Sequence, residues 1–261
     1  MKVSHDIHLH TFLSDCCHDE RMTTAAVLEH ALNKGYDTLC YTDHCWDSTV
    51  PGASNWYAPQ SIEHAFSNHP LPESKDIRIC MGVETEYCGG KKLGLSRASF
   101  DKFDFVVIPP NHFHMENFVR PAEINTPEAI AELLMTRLEE LQALDLPWNK
   151  IGIAHLSADL MNARGTVSEV FRLLPADRLN KIFRTFAERG TGIELNAESF
   201  PTKAPEDFSE IMRPYHIARE AGCKFYFASD AHSVERLEID SMLAPAIADL
   251  QLTKEQLYVI P

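Results

Sequence analysis

Residues 6–20 read DIHLHTFLSDCCHDE and place His8, His10, Asp15, Cys16, Cys17, His18, Asp19 and Glu20 within a few turns of chain. On a strand, residues two apart point to the same face, so His8 and His10 can share one direction. Asp230 and His232 in SDAH have the same spacing. Comparable residues recur along the chain: Asp43 and His44, Glu84 and Glu86, Asn111, His112 and His114, then His155, Glu194 and Asn196. Imidazole and carboxylate together suit zinc, iron or manganese. One histidine at a strand end is usually an ordinary hydrogen-bonded group. It is the accumulation that points to metal chemistry, because so many convergent polar groups are costly to bury unless cations compensate them.

Seven short apolar runs precede these residues: VSHDIHLH, YDTLCYTDH, IRICMGVETEY, FDFVVIPPNHF, KIGIAHLS, GIELNAES and CKFYFASDAH. Their length and residue types predict buried strands. Helical patterns lie between most of them. TTAAVLEHALNKG puts Val27, Leu28, Ala31 and Leu32 on one face. Thr126 and Pro127 open a second helix that repeats Ile130, Leu133, Leu134, Leu138 and Leu141, and Leu179, Ile182, Phe183 and Phe186 mark a third. Gly35, Gly190 and Gly222 stand where helices should stop. Helix, glycine, strand and polar end is the alternation of a parallel α/β sheet. Seven repeats predict a closed, TIM-like barrel, in which reactive residues stand at the carboxyl ends of strands. An open doubly wound sheet is the alternative, but no Gly-x-Gly-x-x-Gly opens a helix. Residues 45–76 form a long connection whose Trp46, Trp56 and Tyr57 could meet a substrate or simply pack.

The chain has 261 residues, 44% of them hydrophobic, and no linker or repeat beyond the strand–helix unit, so a single domain over 1–261 is expected. A formal charge of -14 and the lack of a basic run oppose nucleic-acid binding. Seven cysteines suggest no disulfide framework. With neither a leader pattern nor an apolar run long enough to span a membrane, a cytoplasmic protein is expected.

The pieces DIHLHTFLSD, YTDH, GVETEY, NHFH, GIAHLS and ASDAHS, in this order, resemble the polymerase-and-histidinol-phosphatase (PHP) family of metal-dependent hydrolases. The resemblance implies a distorted (βα)7 barrel and two or three divalent ions, zinc, manganese or iron. It implies as ligands His8, His10, Asp15, His44, Glu84, His112, His155, Asp230 and His232, with His18 a rival to Asp15 and His114 a rival to His112. It further implies hydrolysis of a small phosphate monoester, such as L-histidinol phosphate, by a metal-activated hydroxide. Arg164 is placed to clamp the phosphate, whereas Arg97, Arg120 and Lys91 read as solvated charges. His114, His18 and Asp230 are candidates for the acid that meets the leaving group. Two other readings keep the site: an amidohydrolase-like enzyme cutting C–N bonds, against which the fourth strand offers no bridging lysine, and a metal-binding module without a reaction. The oligomeric state stays open.

Overall fold

The computed structural model describes residues 1–160, 166–200 and 205–261. Its strands are β1 (His5–Asp6), β2 (Thr38–Tyr41), β3 (Arg78–Glu84), a hairpin of β4 (Tyr87–Gly89) and β5 (Lys92–Leu93), then β6 (Phe105–Ile108), β7 (Ile151–Ile153), β8 (Gly192–Asn196) and β9 (Lys224–Ala228). All seven predicted runs contain one strand. These pair in parallel in the order β1-β2-β3-β6-β7-β8-β9. The two edges meet through backbone bonds: Ile7 donates to the Phe227 carbonyl (3.3 Å), Asp230 to His8 (2.8 Å) and His10 to Ala231 (3.1 Å). The result is a nearly closed, distorted (βα)7 barrel.

Helices α1 (Thr24–Lys34), α2 (Ile62–Ala65), α3 (Pro127–Gln142), α4 (Val167–Leu173), α5 (Ala176–Arg189), α6 (Pro205–Glu220) and α7 (Asp240–Asp249) lie between or after the strands. Thr23 caps α1 by accepting from the Ala26 amide, and Thr126 caps α3 through Ala129. Gly35 ends α1 and Gly190 ends α5, both in the left-handed region that glycine reaches without strain. Two expectations need correction. Leu32 is 42% exposed, because the buried arc of α1 runs from Val27 through Ala31 to Leu28, and Leu32 stands about 40° beyond it. The first run is also a shorter strand than its pattern suggests. Beyond Asp6 the chain leaves the regular ladder, and the Leu9 amide donates to the Thr42 hydroxyl (2.9 Å).

Alternate residues divide between two cores, as a strand's period of two requires. Val106 and Ile108 face outward to the helices, while Phe105 and Val107 face inward with Ile7, Cys80, Tyr226 and Ala228. The C-terminal tail closes the amino-terminal end of the barrel. Tyr258 donates its amide to Phe225 (2.7 Å), and its ring joins the interior cluster with Ile260. Gly152 makes room for the two large interior rings, since a Cβ there would stand 2.5 Å from both Phe105 Cζ and Tyr226 Oη. All seven cysteines, each among the described residues, are unpaired. No described helix is long and apolar enough to cross a membrane. Gly152→Ala should overpack this layer and lower unfolding free energy by about 1–3 kcal/mol, measured by urea denaturation; an unchanged midpoint would contradict the packing.

Candidate metal centre

Glu84 ends β3 and is 1% exposed, and its carboxylate is the point on which the other strand ends converge. Its two oxygens look in different directions. Oε2 meets His44 Nδ1 (3.1 Å), His10 Nε2 (3.3 Å) and His8 Nε2 (3.5 Å). Oε1 meets His155 Nε2 (3.2 Å) and His112 Nε2 (3.6 Å). Asp230 faces the first set, with Oδ1 at 3.0 Å from His10 and 3.5 Å from His8. Among the described residues, three sets of donor atoms lie close enough to hold a cation: His8, His10, Glu84 and Asp230; Glu84, His112 and His155; and His10, His44 and His232.

Five of these imidazoles are held from behind. His8 Nδ1 bonds Glu194 (2.5 Å) and His112 Nδ1 bonds Glu86 (2.6 Å). His232 Nδ1 bonds the Asp230 carbonyl (2.7 Å). His155 Nδ1 bonds Asn111 Oδ1 (3.2 Å), while the Asn111 amide nitrogen donates to the His155 and Leu156 carbonyls. His10 Nδ1 bonds the Ser14 hydroxyl (3.0 Å), which itself donates to Asp43 (2.8 Å). Each outer partner accepts, so each Nδ1 carries a proton, and whenever the imidazole is neutral its Nε2 presents a lone pair inward. This is the arrangement by which proteins orient metal-binding histidines.

Such lone pairs cannot simply face one another. His112 Nε2 and His155 Nε2 are 3.1 Å apart, and His8 Nε2 is fully buried with no hydrogen-bond partner. Two nitrogens on one tetrahedral zinc would be about 3.4 Å apart, given Zn–N of about 2.0–2.1 Å. The residues therefore fit a divalent cation, and Glu84 belongs to two of the three donor sets. Burial would push Glu84 upward, but the imidazoles of His44 and His8 and the bonds from His10 and His155 hold it well below the usual carboxylate range. Burial likewise opposes ionisation of Asp230, and His8 and His10 overcome it. Two of the residues bear backbone strain: His155 has φ 24° and Asp230 φ 52°. Such conformations cost roughly 1–3 kcal/mol each and persist where surrounding bonds fix them. Here the His155 amide donates to Glu194 and the Asp230 amide to His8.

A cavity of about 680 Å³ opens onto this centre. Part of its lining is His44, Glu84, His112, Asp230 and His232, and an apolar wall beside them holds Trp56, Tyr57, Met115, Phe118 and Leu160, with the Trp56 ring 4.9 Å from that of His44. Trp46 is buried behind that wall, its ring 5.6 Å from those of both Tyr57 and Phe118.

No protein-family model and no curated protein sequence matches the chain. Solved structures do. Histidinol phosphate phosphatase (HisK) of Lactococcus lactis subsp. lactis Il1403, complexed with zinc, L-histidinol and phosphate, superposes with a TM-score of 0.57 at 15% identity, over 96% of this chain and 94% of that one. The HisK protein of Listeria monocytogenes, assigned as a histidinol phosphatase, gives a TM-score of 0.61 at 16% identity, over 90% of this chain and 97% of that one. The chain has the PHP fold.

Within the PHP fold, the structure brings together His8, His10, His44, Glu84, His112, His155, Asp230 and His232. Asp15 and His18 are exposed and belong to none of the three sets. The Asp15 amide donates to Gln60 (3.0 Å). His114 is exposed on the cavity wall, its ring 5.3 Å from that of His112. Arg164 lies outside the described residues. Arg120 is buried rather than solvated, donating to the carbonyls of Phe113 (2.7 Å) and Ile124 (2.6 Å), so it braces the loop that carries Phe118. The orienting roles of Glu86, Glu194 and Ser14 were not read from sequence; Glu86 had a signal, two residues beyond Glu84. The Cys16 sulfur stands 3.1 Å from His232 Nε2.

The centre has a pH signature. Burial opposes charge on His10 and His112, but Asp230 and Glu84 beside the first and Glu86 beside the second raise both from 6.5 to about 9 in the metal-free protein. A raised histidine stabilises the fold fully below its unfolded value, and the contribution is lost as pH climbs through the folded value. Metal-free protein should thus lose melting temperature between pH 6.5 and about 9. Protein loaded with zinc should not show this loss, because the same nitrogens are already deprotonated. Calorimetry across that range, with and without zinc, checks it; parallel profiles would contradict the assignment.

Proposed function

We propose that this chain is a metal-dependent phosphoric monoester hydrolase acting on a small phosphorylated substrate, as a single PHP domain. The observation that carries the reading is the division of Glu84: one carboxylate oxygen serves His8 and His10, the other serves His112 and His155. A carboxylate shared in this way suits two adjacent cations, the arrangement used to stabilise both entering and leaving oxygens of an in-line displacement at phosphorus. When bound, divalent ions would polarise phosphoryl oxygens and make a coordinated water acidic enough to attack.

The chain's own residues supply the rest. Glu84 and Asp230 provide the anionic donors, and His8, His10, His44, His112, His155 and His232 the neutral ones. Glu194, Glu86, Asn111 and Ser14 fix the imidazole orientations, so little reorganisation is needed at the moment of reaction. His114 stands on the wall of the cavity. Though part of its surface is exposed, the ring is partly desolvated by the wall, and this, with His112 and His155 nearby, pushes it down to about 4, so near neutrality it is an uncharged imidazole able to hydrogen-bond an ester oxygen. Asp230, a carboxylate in the cavity lining, is the second candidate for handling the leaving group's proton. The solved complex of the Lactococcus lactis protein with zinc, L-histidinol and phosphate supports a substrate of this class, histidinol phosphate among the candidates.

The aromatic wall should set preference in the organic half. Purified protein supplied with zinc, manganese or iron should hydrolyse p-nitrophenyl phosphate and other small monoesters, and chelation should abolish turnover. Trp56→Ala should raise KM on the order of tenfold for aromatic esters, the worth of one buried apolar contact, while leaving small aliphatic esters little changed. Metal-dependent turnover of cyclic amides without any phosphate ester would overturn the reading.

A further inference from the structure

We infer that Cys16 is a metal ligand, its thiolate completing a cation position with His10, His44 and His232. The inference rests on the metal-dependent reading above and assigns a residue within that centre. The three donor sets differ in charge. Two contain Glu84, and one of these also contains Asp230, whereas the set of His10, His44 and His232 is three imidazoles with no anion of its own. A divalent ion in so buried a place calls for an anionic donor. Cys16 stands beside His232 at the edge of that set, with Sγ 3.1 Å from His232 Nε2.

The hydrogen bonding explains the approach. His232 Nδ1 is committed to the Asp230 carbonyl, so Nε2 carries the lone pair and the thiol donates to it. On one tetrahedral zinc, with Zn–S of about 2.3 Å and Zn–N of about 2.0–2.1 Å, sulfur and nitrogen would be about 3.6 Å apart. For the Cys16–His232 pair this is about half an ångström more than the observed separation; Cys16 Sγ is not among the atoms that already lie together with His10 and His44, so binding would also draw the loop toward them. On binding, the S–H bond breaks, the proton leaves to solvent, and the sulfur lone pair goes to the cation.

The neighbours of Cys16 are anchored to the same elements. Ser14 binds His10, Asp43 and the His44 amide. Cys17 turns the other way, its thiol donating to the His232 carbonyl (3.2 Å). The loop therefore presents Cys16 to the centre, leaves Asp15 and His18 exposed, and uses Cys17 as a brace. An independent feature marks the same centre as built for a ligand. His8 Nε2, fully buried and unpartnered, aims at Glu84 and Asp230, and Asp230 also bonds His10, the residue common to both sets. A thiolate there would favour zinc, cobalt or cadmium over manganese or magnesium.

The test is cobalt(II) titration of metal-depleted protein, following thiolate-to-cobalt charge-transfer absorption in the near ultraviolet and counting bound cobalt by elemental analysis. Wild type, Asp15→Asn and Cys17→Ser should develop the band. Cys16→Ser should lack it and bind one equivalent less. Zinc-edge X-ray absorption of wild type needs no variant and should show one sulfur scatterer at about 2.3 Å. A band that survives in Cys16→Ser, or cobalt and zinc bound by wild type with no sulfur signal, overturns the inference and leaves the phosphatase reading standing. A wild-type protein that binds neither ion overturns both.

Discussion

A carboxylate sealed from water amid imidazole nitrogens is the constraint on which this structure turns. Glu84 is 1% exposed and ends a strand in the middle of the sheet, where no solvent can offset its charge. A buried ion of this kind survives only if it is paired and hydrogen-bonded. The pairing partners come from four other strand ends, and Asp230 and His232 join them from a fifth, so the barrel must close before the centre can exist. Residues from the start of the chain (His8, His10) and from near its end (Asp230, His232) meet only because the first and last barrel strands are neighbours. Closure and site assembly are thus one event in the fold.

The orienting groups explain why the centre needs the barrel rather than loops alone. Three of the acceptors behind the histidines stand in or just past strands: Glu194 within β8, Glu86 just past β3, Asn111 just past β6. A wandering imidazole would lose its lone-pair direction, and with it the ability to share a cation with a neighbour 3.1 Å away. The strained backbone at His155 and Asp230 fits this account, since both are tied by amide bonds to residues of the same centre. Strain of that order is tolerable only when several bonds act together.

The barrel was readable in the chain because its signals are local. Seven apolar runs, glycines at helix ends and threonine caps all act within a few residues, and every run proved to hold a strand. Eight of the ligand candidates were readable for a related reason: strand ends point to one rim, so polar residues there share a destination. What was illegible depends on contacts distant in sequence. Whether Asp15, Cys16 or His18 faces inward is set by the turn after His10, which Ser14, Gln60 and the His232 carbonyl fix from elsewhere in the chain. Arg120 reads as a surface charge until the fold wraps residues 113–124 around it. Leu32 fails at the boundary of a helical face, where a shift of one position exchanges core for solvent.

The cavity shows how chemistry and selectivity are divided between scaffold and loops. The histidine and carboxylate lining is drawn from strand ends, and the apolar wall from the connections after β2, β6 and β7. That second wall is firmly built. Trp46 packs against Tyr57 and Phe118, Lys92 lies over both Trp46 and Phe118, and Arg120 anchors the loop from beneath. Aromatic faces held by packing and by a cation select by shape at little entropic cost. A fold can keep its strand-end rim and change such a wall alone, so under the hydrolase proposal selectivity for the organic half of a substrate would fall to the loops that carry Trp56, Tyr57, Met115, Phe118 and Leu160 rather than to the barrel.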